Sequence, residues 1–453
     1  MVVINRLLNR NKRFFELHPA HVLVFGFLGL IFIGTLLFML PISTQDRHHL
    51  SFIDALFEAT SAVCVTGLAV VDTGATFTLF GQVVLLILIQ LGGWGFMTSS
   101  ILMFLILGKK IGLKERLILK ESINYGSLQG VIRLVQRIIV ITLTVELIGA
   151  IVLALRWSYE MPWQKAIYYG IFHSISAFNN AGFALESDSL SKWVGDPVVN
   201  IMISILFIVG GIGFTVILDI FKKKSFRKLS LHTKLALTVT LFLNTVSLLM
   251  ILFLEYNNPA TLGSLDFGDK LWAAYFQGTV PRTAGFNTID ITQMTPSSLV
   301  YIMGLMFIGA SSGSTGGGIK ITTAALLLLA LWAVITNKQD VNLFKRRIPQ
   351  NQINKALSIG ISGILFIFAI FFILTITEKG AEITQILFET VSAFGTVGLS
   401  AGLTGDLTPI GRILITVMMF IGRLGPLTMT FAIMINLNNK SKIRYAEEKI
   451  LIG

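Results

Sequence analysis

Four short stretches of this 453-residue chain carry the same residue types in the same order. Ser61-Ala62-Val63-Cys64-Val65-Thr66-Gly67 returns as Ser176-Ala177-Phe178-Asn179-Asn180-Ala181-Gly182, as Thr279-Val280-Pro281-Arg282-Thr283-Ala284-Gly285 and as Ser392-Ala393-Phe394-Gly395-Thr396-Val397-Gly398. In each, a hydroxyl residue stands six positions before a glycine, with no gap, and the glycines recur about every 110 residues, the mark of one unit used four times. The chemistry open to such a set is coordination. A cation leaving water needs oxygens in place of its hydration shell, and backbone carbonyls supply them without putting a full charge in its path. Carbonyls can share one axis only where the backbone takes conformations that glycine reaches cheaply. The candidate ion-binding residues are therefore Val65, Thr66, Gly67, Asn180, Ala181, Gly182, Thr283, Ala284, Gly285, Thr396, Val397 and Gly398. The four walls are chemically unequal, which predicts one dominant ion site rather than a row of equal ones.

The elements that would hold these stretches follow from composition and pattern. With 54% hydrophobic and 13% charged residues and a mean hydropathy of +0.77, the chain reads as an integral membrane protein. The lone cysteine excludes an internal disulfide, and the six histidines show no metal-ligand spacing. The net charge of +12 gathers mainly in residues 6–13, 109–137, 222–234, 338–355 and 440–449. By the positive-inside rule these stretches face the cytoplasm, so the charge reads as topology and not as nucleic-acid binding. Both termini are then cytoplasmic, and the outer loops carry acids such as Asp72, Glu186, Asp290 and Glu382.

Long apolar runs at 22–40 and 80–107, 131–155 and 198–221, 231–254 and 298–335, and 356–376 and 410–435 predict eight full spans. Between the members of each pair lies a shorter segment, at 52–63, 163–178, 270–280 and 383–394, that is too short to cross and leads into a motif. The predicted fold is an all-α membrane protein of four span/half-helix/span repeats with pseudo-fourfold symmetry. The repeats run over 1–107, 108–221, 222–336 and 337–436, followed by a cytoplasmic tail at 437–453. Non-helical backbone at membrane depth is tolerated only where it is buried in protein or lines water, so the four motifs should converge on one axis. The half-helices would point their C-terminal ends there, each with about half a negative charge, favouring a cation.

Residues 298–335 would make a helix nearly twice as long as the hydrocarbon is thick. A break is expected at Gly309, Ala310, Ser311, Ser312, Gly313, Ser314, Thr315, Gly316, Gly317 and Gly318, where five glycines disfavour helix. This stretch reads as a flexible loop that gates the path below the motifs, with a rigid packing kink as the alternative. A phosphate loop is rejected by the spacing and the lack of a preceding strand. Arg423, inside the last span, is expected to line the path level with that loop and to bond its carbonyls or hydroxyls; the alternative is a buried ion pair. Arg282 is expected to point away from the axis and tie its loop down. Glu58 and Glu389, nine residues before their glycines, read as structural anchors, with attraction of cations as the other possibility.

Four span/half-helix/span units, single glycines in Val-Thr-Gly-Leu, Asn-Ala-Gly-Phe, Thr-Ala-Gly-Phe and Thr-Val-Gly-Leu, and the glycine-rich break together resemble the Trk/Ktr/HKT potassium transporter superfamily, over nearly the whole chain. The short basic N-terminus resembles the Ktr membrane subunit. The resemblance implies potassium uptake, often sodium-dependent, by a homodimer with one pore per subunit. It also implies a cytoplasmic ring of nucleotide-binding, RCK-type regulatory subunits, with any nucleotide on that partner and no covalent cofactor on this chain. An alternating-access carrier of another small cation or solute is the competing class; repeats that share one orientation disfavour it. No nucleophile–base pair or metal cluster points to an enzyme.

Overall fold

The computed structural model describes residues 19–45, 49–95, 98, 131–426, 428–429 and 448. Its helices fall into four repeats. The first repeat holds α1 (Pro19–Phe38), α2 (Phe52–Cys64) and α3 (Leu79–Trp94); the second holds α4 (Val131–Trp157), α5 (Trp163–Phe178), α6 (Pro197–Ile212) and α7 (Phe214–Lys223). The third holds α8 (Leu231–Glu255), α9 (Phe267–Thr279), α10 (Pro296–Phe307) and α11 (Ile321–Ile335). After a hairpin of β1 (Asn342–Leu343) and β2 (Arg346–Arg347) comes the fourth, with α12 (Gln350–Thr377), α13 (Ile383–Gly395) and α14 (Pro409–Leu424). Among the described residues, four unbroken helices are long and apolar enough to cross a membrane, and they are the first of each repeat: α1, α4, α8 and α12. They present residues such as Phe32, Leu143, Leu241, Phe253 and Phe368 outward, the apolar surface that lipid requires.

The second spans of the first, second and fourth repeats depart from the continuous helices expected at 80–107, 198–221 and 410–435, whereas that of the third, at 298–335, breaks where a break was expected. α3 ends at Gly95 (φ +80°), α6 at Gly213 (φ +101°) and α14 at Gly425 (φ +86°). These glycines occupy one register, Gly-Gly-x-Gly in the first two repeats and Gly-Arg-Leu-Gly in the fourth. A left-handed backbone ends a helix at little cost in glycine, and α7 leaves α6 at 94°. In the third repeat the helix stops at Phe307 and resumes at Ile321. The ends of the intervening loop are held together by Gly309 N–H to Ile319 O (2.9 Å) and Ile321 N–H to Ala310 O (3.1 Å). The starts of these helices are equally regular. Thr78, Asp196, Thr295 and Thr408 cap them through side-chain oxygens, and a proline follows the cap in the last three, where its missing N–H costs nothing.

Packing closes these repeats into a ring. Each first span lies on its own half-helix: α1 on α2, α4 on α5, α8 on α9 and α12 on α13. Each second-span helix then leans on the half-helix of the next repeat, α3 on α5, α6 on α9 and α10 on α13, and α14 returns to α2. Arg412 of α14 is ion-paired with Asp54 of α2 at this last seam. The half-helices are deeply enclosed, with Phe57, Phe172, Phe276 and Phe388 fully buried.

Candidate cation filter and the loop beneath it

Beyond each half-helix the backbone takes one shape. Val65, Asn180, Thr283 and Thr396 have φ of 55°, 59°, 77° and 50°, and two residues later Gly67, Gly182, Gly285 and Gly398 have φ of 89°, 71°, 78° and 92°. Positive φ is costly for Val and Thr, which are branched at Cβ, so four occurrences at one register mean that the fold imposes it. In three copies the turn is held by the N–H before the glycine, which donates to the carbonyl of the motif hydroxyl residue: Thr66 to Ser61 (2.8 Å), Ala181 to Ser176 (2.8 Å) and Val397 to Ser392 (2.9 Å). In the third copy Ala284 bonds Val280 instead (3.0 Å).

The four glycines meet in cyclic order. A Cβ built on Gly67 would lie 3.2 Å from Gly182 Cα, one on Gly182 2.7 Å from Gly285 Cα, one on Gly285 3.5 Å from Gly398 Cα, and one on Gly398 3.0 Å from Gly67 Cα. Each would also meet the carbonyl oxygen before the next glycine, those of Ala181, Ala284, Val397 and Thr66. Eight of the twelve residues singled out by the repeat, the four glycines and the residue before each, thus meet in a ring with no room for a side chain at the glycines. Four carbonyl dipoles at the closed ends of four half-helices can replace part of a cation's water shell. Above the ring, recesses of about 340 and about 330 Å³ share Gly67, Ala69, Asn287 and Gly398. Asp290 lines the first, and Asp72 and Glu186 the second. Lys192 donates to Glu186 and holds its carboxyl below the usual range.

The strands are secured from behind. Glu58 Oε1 accepts from Val70 N–H (2.7 Å) and Val71 N–H (3.3 Å), and Glu389 accepts from the Ser400 (3.0 Å) and Thr404 hydroxyls. Both carboxylates are fully buried and engaged by the segment that follows their glycine. His173 holds this register in the second repeat: its Nδ1 bonds Tyr169 O (2.9 Å) and its Nε2 accepts from Leu185 N–H (3.5 Å). Sequence reasoning passed over His173; its place three residues before Ser176, as Glu58 stands before Ser61, was the available signal. Arg282 turns to α8, donating to Thr240 O (3.3 Å) and Asn244 Oδ1 (3.1 Å).

Below the ring lies the loop. Its Ser311 and Thr315 N–H groups donate to the carbonyls of Gly211 (2.9 Å) and Gly210 (3.3 Å). The Thr315 hydroxyl donates to Asn180 Oδ1 (2.8 Å) and Gly317 N–H to Thr396 Oγ1 (3.0 Å). Two basic side chains grip consecutive carbonyls: Arg423 donates to Thr315 O and also to Gly92 O at the end of α3, while Lys320 Nζ donates to Gly316 O (2.5 Å). Lys320 was not among the expected residues; a lysine two positions after a glycine run reads as the start of the next helix. Arg423 occupies the register filled by Gly93 and Gly211 in the first two repeats, so its side chain extends where those have none.

Residues 18–445 match the family described as TrkH, cation transport protein. This chain belongs to that family. Within it, the chain is 50% identical over 435 residues to the Ktr system potassium uptake protein B of Bacillus subtilis, covering 96% of this chain and 97% of that one. It is 39% identical to the potassium/sodium uptake protein NtpJ of Enterococcus hirae, covering 97% and 98%. The crystal structure of the potassium transporter TrkH from Vibrio parahaemolyticus superposes with a TM-score of 0.73 at 20% identity, over 92% of this chain and 86% of that one, a likeness of fold. The resemblance read from the motifs, and the helical membrane fold it implied, are borne out by these matches. The TrkH family is one of multi-pass membrane transporters, and its match covers all four repeats.

Proposed function

We propose that this chain is the ion-translocating subunit of a potassium uptake system, with the ring at Gly67, Gly182, Gly285 and Gly398 as its filter. The observation that carries the reading is the cyclic meeting of these glycines with the carbonyls of Thr66, Ala181, Ala284 and Val397. The names of its relatives support potassium as the ion. Backbone oxygens from Val65, Asn180, Thr283 and Thr396 continue the path inward. The loop at 309–318, with Arg423, closes that path, and its opening sets the rate. Sodium stimulates the flux, a reading favoured by the potassium/sodium relative. The active unit is a homodimer in the cell membrane with both termini cytoplasmic, where nucleotide-binding regulatory subunits act on the loop. The chain carries ions and performs no covalent chemistry. Reconstitution into proteoliposomes tests the reading: potassium uptake that exceeds sodium uptake and responds to added sodium is expected. Equal leakage of both ions, or none, in folded protein would overturn it.

A further inference from the structure

Three residues before the filter glycine, two of the strands are tied to the first span of their own repeat. Arg282 reaches Thr240 and Asn244 on α8, and Asn179 reaches Glu146 on α4. The charge lies on the strand in the third repeat and on the span in the second. Asn179 Nδ2 donates to Glu146 Oε1 (3.0 Å) and to Gln90 Oε1 (2.9 Å), and Gln90 Nε2 donates to Glu146 Oε2 (3.3 Å). Side chains from α3, the second filter strand and α4 thus close a triangle across the first and second repeats. Ser174 of α5 braces it by donating to Glu146 O (2.6 Å).

Glu146 is 6% exposed in the middle of α4, and no described Lys or Arg pairs with it. A carboxylate at that depth is costly, and ionisable groups retained there mark function. Bond direction gives this one its reason. Both neighbours offer it amide N–H groups, and a carboxylate only accepts, whereas a glutamine would set its own NH₂ against one of them. Two residues beyond Asn179, the Ala181 carbonyl lies against Gly67, so the triangle joins the two repeats whose strands meet there.

We propose that Glu146 is a specificity-determining positioning residue: through Asn179 and Gln90 it fixes the second filter strand against the first repeat, and so sets the carbonyl spacing that separates potassium from sodium. The proposal rests on the potassium reading above. Its test is potassium and sodium uptake by the full chain in proteoliposomes for wild type, Glu146→Gln, Gln90→Met and the exchange Gln90→Glu/Glu146→Gln. Losing one oriented bond of about 1 kcal/mol, Glu146→Gln should lower the potassium-to-sodium uptake ratio about fivefold and raise KM for potassium while keeping Vmax. Gln90→Met, which leaves the carboxylate in place, should shift the ratio the same way. The exchange moves the acceptor across the same bond, leaves Asn179 with both its side-chain acceptors beside Ile175 O, and should restore the ratio. A wild-type ratio and KM in Glu146→Gln or, where that variant does not fold, in Gln90→Met would overturn the proposal, as would an exchange variant no better than Glu146→Gln. Wild type that moves no potassium would instead remove the functional reading, and this inference with it.

Discussion

The hydroxyl of Thr315 donates a 2.8 Å hydrogen bond to Asn180 Oδ1, and Asn180 Nδ2 in turn donates to Thr283 Oγ1 at 3.2 Å. The loop beneath the ring is thereby bonded to a side chain that also links two filter strands. With Gly317 N–H on Thr396 Oγ1, any displacement of the loop breaks bonds to two strands. Under the proposed gating, Thr315→Val removes one latch of about 1 kcal/mol, which should raise the open fraction about fivefold. Potassium flux without a regulatory partner reads this directly, and unchanged flux in folded protein would count against it.

Arg423 joins Thr315 O of the loop to Gly92 O of α3 with two different nitrogens. A lysine has one donor centre and cannot bridge both carbonyls in that geometry. Arg423→Lys should therefore loosen the loop nearly as much as Arg423→Gln. If Arg423→Lys matched wild type in regulator-free flux, charge and not bridging would be the operative property.

At the ring, Gly182→Ala would place a methyl 2.7 Å from Gly285 Cα and requires φ near 71° from a residue with a side chain. The neighbour is backbone and cannot swing aside, so the ring must widen. The expected outcome is at least about a tenfold loss of potassium preference, equivalent to roughly 1.4 kcal/mol, in protein that still purifies as a folded assembly. Retained preference would show that the glycine ring does not set selectivity.

Glu186 at the outer mouth has its carboxyl lowered from the ordinary 4.5, first by the hydrogen bond from Lys192. A depressed acid stabilises the folded state above its unfolded pKa, and that contribution is lost as pH falls through the folded value. Wild type should therefore melt above Glu186→Gln at pH 6, and the gap should close as the pH is taken below about 4. Melting curves of both proteins across that range are the check; a gap that persists in acid would assign the stabilisation to packing.

The parts legible in the sequence were those for which four copies answer one physical need in one residue type. The motif glycines repeat because each has a positive φ at a place where a Cβ would strike the backbone of the next repeat. Where the need was met by different chemistry, it was hidden: His173 takes the post taken elsewhere by Glu58 and Glu389. The breaks at Gly95, Gly213 and Gly425 were missed because hydropathy registers apolar surface and is blind to a positive φ. Glu146 carries no signal in the sequence, since its partners Gln90 and Asn179 lie 56 and 33 residues away.

The seam at which α14 returns to α2, with Arg412 paired to Asp54 across 358 residues, has a consequence for biogenesis. Three quarters of the ring can be inserted with nothing yet to close it, because Gly67 awaits a neighbour that leaves the ribosome last. Loop-closure entropy for so distant a contact is met late, so the ion path is a property of the finished chain. A nascent protein truncated before the fourth repeat would insert its helices without acquiring an ion path, which spares the cell a leak during synthesis.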